Sequence, residues 1–476
     1  MSHPQPDRDE LRSVLDLVRG QAEDYLSALD TRPVRSTTAE AAAATLEGSF
    51  PETGEGACAA LRELFERGLD AAVHSSGPRF FHFVIGGVTP AALGADWLTS
   101  LLDQCAGMWV ASPLGVRLES VSIAWLKDIF RLPAEWGGAI TSGATMANFS
   151  GLASARQWWG EKHGVDVSVT GLAGLPAVPV FSSGYVHASA VKVLGMLGIG
   201  RDSVRRFARD AAGRLDLEAL EAALCELDGA PAILIGNAGE VNAGDFDPIE
   251  AMADLAERYG AWLHVDGAFG LFARTTPRTE DLARGVERAH SITVDGHKWL
   301  NVPYDCGFTF VRDASYLNKA YAVTAAYLDE ADEGRPVMSD FVPESSRRAR
   351  SLSVWATLRA YGRQGVRSMV ERHLDLAQHL ARRVDAAPEL ERLADVPLNI
   401  VCFRWHPEGR SEEELDRLNT RLGEAVIEDG RVFFGTTIYE GRVALRPAIV
   451  NWRTETKDVN FMVDVLLEVS RSIPFT

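Results

Sequence analysis

Apolar residues along the chain follow two rhythms, and where each one runs predicts the elements. From Asp9 to about Leu29, the positions Leu11, Val14, Leu15, Val18, Ala22 and Leu26 recur at helical spacing. The segment therefore predicts a helix with one apolar face that must dock on something. A stretch from Thr31 to Gly56 reads as extended connections with a short helix at Ala39 to Leu46. From about Phe80 to Val311, apolar runs such as Ala232-Ile233-Leu234-Ile235 alternate with helical segments such as Pro248 to Tyr259. That alternation is the pattern of a mostly parallel sheet covered by helices. A long helical region follows from Leu352 to about Val384, and beyond it Val396 to Trp405 and Val443 to Val450 predict strands flanking a helix at Glu412 to Glu428. The expected division is an N-terminal helical segment, 1–80, a large α/β domain, 81–372, and a small C-terminal α/β domain, 373–476.

Composition changes this picture mainly by exclusion. With 476 residues, 46% of them hydrophobic, the chain can bury a sizeable core. A formal charge of −18 argues against nucleic-acid or anionic-membrane partners, which reward clustered Lys and Arg. No apolar run approaches membrane-spanning length, and polar Met1 to Glu10 lacks a signal-peptide core, so a cytoplasmic location is expected. The five cysteines, Cys58, Cys105, Cys225, Cys306 and Cys402, are scattered without CxxC spacing. They indicate a reducing compartment and no zinc cluster; HExxH is absent too, so no metal is expected.

Four segments carry candidate chemistry. The apolar run Ser291-Ile292-Thr293-Val294-Asp295 delivers Gly296-His297-Lys298-Trp299 into a turn. A lysine forms a Schiff base only when a useful fraction of it is neutral, which a desolvated or cation-flanked strand end supplies. Upstream, Trp262-Leu263-His264-Val265 ends in Asp266-Gly267-Ala268. A carboxylate at the end of a buried strand needs a cationic partner. Asp266 meets that need if it faces a pyridinium nitrogen, and Ala268 is small enough for a ring to lie against it. Gly137 to Asn148 reads as strand, glycine turn and helix start, which aims the N–H groups around Gly143, Ala144 and Thr145 at a phosphate. The turn matches neither GxGxxG nor GxxxxGK[ST], so dinucleotides and nucleoside triphosphates are not indicated. His187, at the start of another helix, could stack on a ring. Each segment also has a plainer reading, in order a surface His-Lys pair, a turn-capping Asp, a glycine turn that binds nothing, and a helix-capping or core histidine.

Taken in order, phosphate turn, stacking His, acidic strand end and HK turn, the chain resembles the group II decarboxylases dependent on pyridoxal 5'-phosphate (PLP). This is the family of aromatic L-amino acid decarboxylase and glutamate decarboxylase. Pro78 to Phe81, Ala111 to Pro113, Asp305 to Gly307 and Leu445 to Asn451 fall where that family has similar blocks. The resemblance covers nearly the whole chain and implies the aspartate aminotransferase fold, fold type I. It also implies PLP on Lys298, with Asp266 and His187 as its catalytic partners and His297 helping to orient the phosphate end. The implied assembly is a homodimer with the active site near the subunit interface and the N-terminal segment packed across it. The implied reaction is decarboxylation of an L-amino acid to the amine. A second PLP chemistry, either oxygen-dependent decarboxylation-deamination to an aldehyde or a lyase or transaminase reaction, uses the same residues. A non-catalytic PLP-fold protein would have little use for Lys298, Asp266 and His187 together.

Departures from the family pattern concern the pocket and the lid. Polar residues 314–350, with Gly334, Pro336, Pro343 and the acidic run Asp329 to Glu333, predict a mobile lid. Met338 stands where family members place a lid tyrosine that protonates the carbanion; Phe341 is the nearest aromatic, and Tyr321 and Tyr327 lie earlier. In the family, phenylalanine at that position accompanies the switch from amine to aldehyde. Glu240-Val241-Asn242 replaces the family's threonines, leaving Asn242 as the candidate partner for the cofactor's ring hydroxyl. Gly107 stands where aromatic decarboxylases place a ring, and Phe81, Phe83 and Trp109 are candidates to line the pocket, or else ordinary core aromatics. These apolar candidates favour an aromatic or other bulky L-amino acid. Arg117 could meet an acidic side chain, and Arg347, Arg348 and Arg350 a neighbouring subunit's phosphate or carboxylate; solvated charges explain them equally.

Overall fold

A computed structural model describes residues 8–323 and 334–474. Seven strands form the larger sheet: β1 (Gly137–Thr141), β2 (Val180–Ser182), β3 (Val204–Arg206), β4 (Ile233–Asn237), β5 (Trp262–Asp266), β6 (Ser291–Asp295) and β7 (Gly307–Val311). Their spatial order is β1-β7-β6-β5-β4-β2-β3. β7 runs antiparallel to both its neighbours, and the other pairings are parallel. The remaining six strands therefore point one way, and the C-terminal ends of five of them carry the candidate site. β4, β5, β6 and β7 are buried at every position, as expected of apolar runs covered on both faces.

A second, antiparallel sheet of four strands, β8 (Leu390–Arg392), β9 (Phe403–Trp405), β10 (Thr436–Tyr439) and β11 (Arg442–Leu445), has the order β10-β11-β9-β8. It shares a separate apolar core with the helices Glu412–Asp429 and Thr456–Ser470 and the end of Ser351–Asp385. Ser411 caps the first of these helices in a capping box with Glu414. Three expectations need correction, the first being the strand at Val443 to Val450, which ends at Leu445. The helical span 351–385 is broken at Gly362, whose φ of 60° suits glycine. The expected strand at Val396 to Trp405 is a strand only at Phe403–Trp405. Its apolar start, Leu398 to Val401, is buried between the two cores as irregular chain. Among the described residues, no helix is long and apolar enough to cross a membrane.

Candidate active site

The loops leaving β1, β2, β4, β5 and β6 converge on one cavity of about 270 Å³. This is the edge of an α/β sheet where ligands characteristically bind, beyond the carboxyl ends of parallel strands. Of the sequence candidates, Gly143, Ala144, Thr145, His187, Asp266, Ala268, His297 and Lys298 all line it.

Lys298 reaches the cavity because β6 ends at Asp295 and the turn brings the lysine back over that residue. Its Nζ lies 3.0 Å from Asp295 Oδ2. The other oxygen, Asp295 Oδ1, accepts the Ala144 N–H at 2.5 Å and lies 3.4 Å from His297 Nε2. Asp295 thus ties the lysine, the histidine and the start of the helix Ala144–Lys162 into one cluster. Burial lowers the His297 pKa, with Lys298 acting in the same direction and Asp295 opposing. The Tyr304 ring stacks on the His297 imidazole, with centroids 4.1 Å apart. Asp295 was not among the sequence candidates, although the reasoning applied to Asp266, a carboxylate ending a buried strand, applies to it equally.

Asp266 accepts hydrogen bonds on both oxygens, from the Ala268 N–H at 3.1 Å and from Asn148 Nδ2 at 2.9 Å. His187 is the N-cap of the helix Ala188–Met196, its Nδ1 accepting the Ser189 N–H at 3.2 Å. The capping reading and the cavity reading are therefore both true of it. Although its ring is exposed on the cavity wall, the surrounding protein desolvates it and lowers its pKa, against the raising effect of Asp266. Two charged residues that sequence reasoning left aside sit beside these groups. Glu240 lines the cavity, buried, with its carboxylate accepting the N–H groups of Asn242 (2.7 Å) and Ala243, and burial raises its pKa. Arg446, 8% exposed, carries an Nη1 without a hydrogen-bond partner among the described residues. Its charge lowers the pKa of His187 and of His82, the latter to about 4, where burial is the larger cause.

Several expected pocket residues lie elsewhere. Asn242 is turned away from the cavity, because its Oδ1 accepts the Thr437 hydroxyl of β10 at 2.6 Å. Phe81, 1% exposed, belongs to the core of the smaller sheet. Phe83 is 58% exposed, on a segment whose Gly86 packs against the Lys298 carbonyl. Trp109 does not line the cavity; the Arg117 guanidinium lies over its ring, 5.1 Å from the centroid, and also donates to Gly334 O. Met338 is buried, and Phe341 packs against the apolar core that the helix Ala144–Lys162 shares, so neither lines the cavity. Part of the expected lid, including Tyr327, lies outside the described residues. The arginine run is spent within the chain: Arg347 pairs with buried Glu119, Arg348 with Asp96 and Arg350 with Asp305.

The donor set fits PLP. A lysine, a carboxylate already held as an acceptor and an imidazole share the cavity with the first turn of a long helix, whose N–H groups favour an anion. A Cβ at Gly143 would stand 3.1 Å from the His297 ring, so the turn needs glycine to stay open beside that histidine. Comparison with known proteins points the same way. The pyridoxal-dependent decarboxylase conserved domain matches residues 42–406. An aromatic-L-amino-acid decarboxylase of Bacillus atrophaeus is 28% identical, over 94% of this chain and 92% of its own. An L-2,4-diaminobutyrate decarboxylase of Rhizobium meliloti (strain 1021) is 31% identical, over 89% and 84%. Oryza sativa TDC, crystallised with PLP and tryptamine, superposes with a TM-score of 0.91 at 25% identity, covering 99% of both chains. With a cofactor-ready cavity at the strand ends and a domain match over most of its length, the chain belongs to the pyridoxal-dependent decarboxylase family, as a PLP-dependent carboxy-lyase acting on an amino acid.

Proposed function

We propose that Lys298, Asp266 and His187 carry out the decarboxylation of a bulky, above all aromatic, L-amino acid to its amine. The observation that carries this reading is the meeting of a lysine, an acidic strand end and a helix N-terminus in one cavity. Bound there, PLP supplies an acceptor for the electron pair left on the alpha carbon when carbon dioxide leaves.

Lys298 would hold the cofactor, and Asp295, 3.0 Å from its Nζ, would keep the ammonium beside the cavity when the lysine is free. Asp266 would hold the ring nitrogen, Ala268 would leave room for the ring, and His187 would cover its face. The Ala144 N–H is held by Asp295, so of the first-turn groups the Thr145 N–H, with His297, would take the phosphate. Arg446, with an unpaired buried nitrogen, draws the substrate's carboxylate inward. His187 Nδ1 is occupied as a cap, so the neutral ring carries its proton on Nε2 and offers a hydrogen-bond donor to the cavity. Met146, Val241 and Phe269 form the apolar part of the wall, and Phe83 lies exposed on the segment next to the Lys298 turn. The aromatic preference draws on these residues and on the substrate class in the name of the Bacillus atrophaeus relative.

The same reading takes the protein to be a cytoplasmic homodimer. Trp97, Leu98, Leu101 and Leu102 of the helix Pro90–Leu102 are all exposed, as are Leu11 and Leu15 of the helix Arg8–Ala28. Apolar rows of this kind mark association surfaces. The deciding experiment offers the PLP-loaded protein the common L-amino acids and L-2,4-diaminobutyrate, reading carbon dioxide, amine, aldehyde and peroxide together. Stoichiometric amine and carbon dioxide from aromatic substrates, lost in Lys298→Ala, is the expected result. Aldehyde with peroxide would overturn the product, and turnover of diaminobutyrate alone would overturn the substrate class. Light scattering should return the mass of two chains.

A further inference from the structure

Behind Asp266 lies a line of buried hydrogen bonds whose direction can be worked out atom by atom. Trp262 Nε1 can only donate, and it donates to Ser291 Oγ at 3.0 Å. The Ser291 hydroxyl then has its own hydrogen to place. His264 Nδ1 stands 2.8 Å away, against 3.5 Å for the alternative acceptor, the Gly151 carbonyl. His264 Nδ1 therefore accepts, and a neutral ring carries its hydrogen on Nε2, which lies 2.8 Å from Asn148 Oδ1. Asn148 Nδ2 then donates to Asp266 Oδ2 at 2.9 Å. The opposite amide orientation would set Asn148 Oδ1 against the carboxylate, so the assignment follows from the chemistry of the neighbours. All five side chains are buried.

The same Asn148 Nδ2 lies 3.3 Å from Ser189 Oγ, which is 2.7 Å from His187 Nδ1. One amide thus touches both the arm that ends at Asp266 and the arm that ends at His187. The backbone makes room for the line on purpose-built geometry: His264 and Ser291 face each other in the β5–β6 register, and His264 shares a strand face with Asp266. On the helix, one turn beyond Asn148, stands Gly151, where a Cβ would come within 2.8 Å of the His264 ring.

We propose that Asn148, oriented by the Trp262–Ser291–His264 line, is a positioning residue that presents Asp266 to the cofactor's ring nitrogen as a pure hydrogen-bond acceptor. This rests on the PLP reading of the cavity. Burial supports it by holding the His264 pKa down to about 4, so the ring stays neutral and keeps its single Nε2 hydrogen at neutral pH. A neutral donor line adds no charge that could compete with the pyridinium for Asp266.

The test uses the full-length protein and PLP without substrate. Wild type, Asn148→Leu, His264→Gln and Ser291→Ala are compared for PLP affinity and for ring-nitrogen protonation, followed by nitrogen NMR of isotope-labelled cofactor. Losing a hydrogen bond to a charged group should weaken PLP binding about tenfold to a hundredfold in Asn148→Leu. The ring nitrogen should then lose its proton about one pH unit lower, since tenfold corresponds to one unit. His264→Gln keeps an amide donor toward Asn148 and should stay close to wild type. Ser291→Ala, the mildest change and the one to rely on should Asn148→Leu not fold, should move both readouts in the same direction by a smaller amount. Unchanged ring-nitrogen titration in Asn148→Leu, or in Ser291→Ala where that is the variant available, overturns the proposal. A purely structural role would lower affinity without moving that titration, and this outcome overturns it too. Failure of the underlying reading looks different: borohydride would fix no cofactor on wild type, or would fix it equally on Lys298→Ala.

Discussion

The cavity floor and the segment 334–350 beside Gly107 carry similar densities of polar residues, yet they are held in opposite ways. On the floor, each chemical group sits at or just beyond the end of its own strand and is held in part by a neighbour a few residues off. Asp266 accepts from Ala268, His187 from Ser189, and Asp295 holds Lys298. In 334–350 the contacts are long-range: Arg347 Nη1 and Nη2 grip the Glu119 carboxylate at 3.1 Å, 228 residues away, and Nη2 also reaches the Ile140 carbonyl. Ser339 donates to the Gly107 carbonyl and Ala106 to that of Arg347. Arg347 therefore clamps this segment onto β1 instead of offering charge to a ligand. Short-range devices place reactive groups; a buried ion pair locates a whole segment.

That contrast can be broken at either end. The largest effect is expected at the clamp, where Arg347→Met strands Glu119 as a buried, uncompensated charge. Stability should fall by about 3–5 kcal/mol, and adding Glu119→Leu should restore much of it. Urea unfolding checks both, and a loss near zero would mean the ion pair does not anchor the segment. On the floor, Asp266→Ala should leave the fold standing but cut kcat roughly a hundredfold to a thousandfold, the scale of losing a preorganised electrostatic partner. Steady-state turnover close to wild type would remove Asp266 from the chemistry.

A smaller, pH-dependent effect comes from His264. Its pKa is lowered from 6.5 to about 4 in the folded protein, chiefly by burial, with Asp266 opposing. A depressed folded value means the stabilisation is complete above the unfolded value, erodes as pH falls through it, and is gone below about 4. Between pH 7 and pH 5 wild type should lose about 2 kcal/mol more than His264→Gln, a difference readable in paired urea titrations. The smallest effect belongs to Arg117→Ala, which removes an exposed contact over Trp109; stability should move by less than about 0.5 kcal/mol, with kcat unchanged. A large loss of kcat there would bring Trp109 back as part of the pocket.

What could be read without the structure follows the same division. The HK turn, the acidic end of β5, the glycine turn and His187 were visible because each is a motif on one element. Asn148 and His264 were part of quoted segments but had no assigned role, since a buried polar residue declares its partner only when helix and strand are packed. Arg446 was visible as part of a block without a stated task. Two residues expected at the pocket do not line the cavity, for the reverse reason. Phe81 and Met338 are apolar and buried, but apolar character specifies burial and not which core receives it.

The sequence by itself determined the fold class and the cofactor chemistry, because strand periodicity and strand-end residues are local properties that survive without a partner. Only the tertiary structure decided what surrounds that chemistry: Asp295 against the Ala144 N–H, Arg446 and Glu240 beside His187, Asn242 turned to β10, and the arginines folded back on Glu119, Asp96 and Asp305. Those contacts join residues far apart in the chain, and a charge or an amide far from its partner in sequence finds it only when packing brings them together.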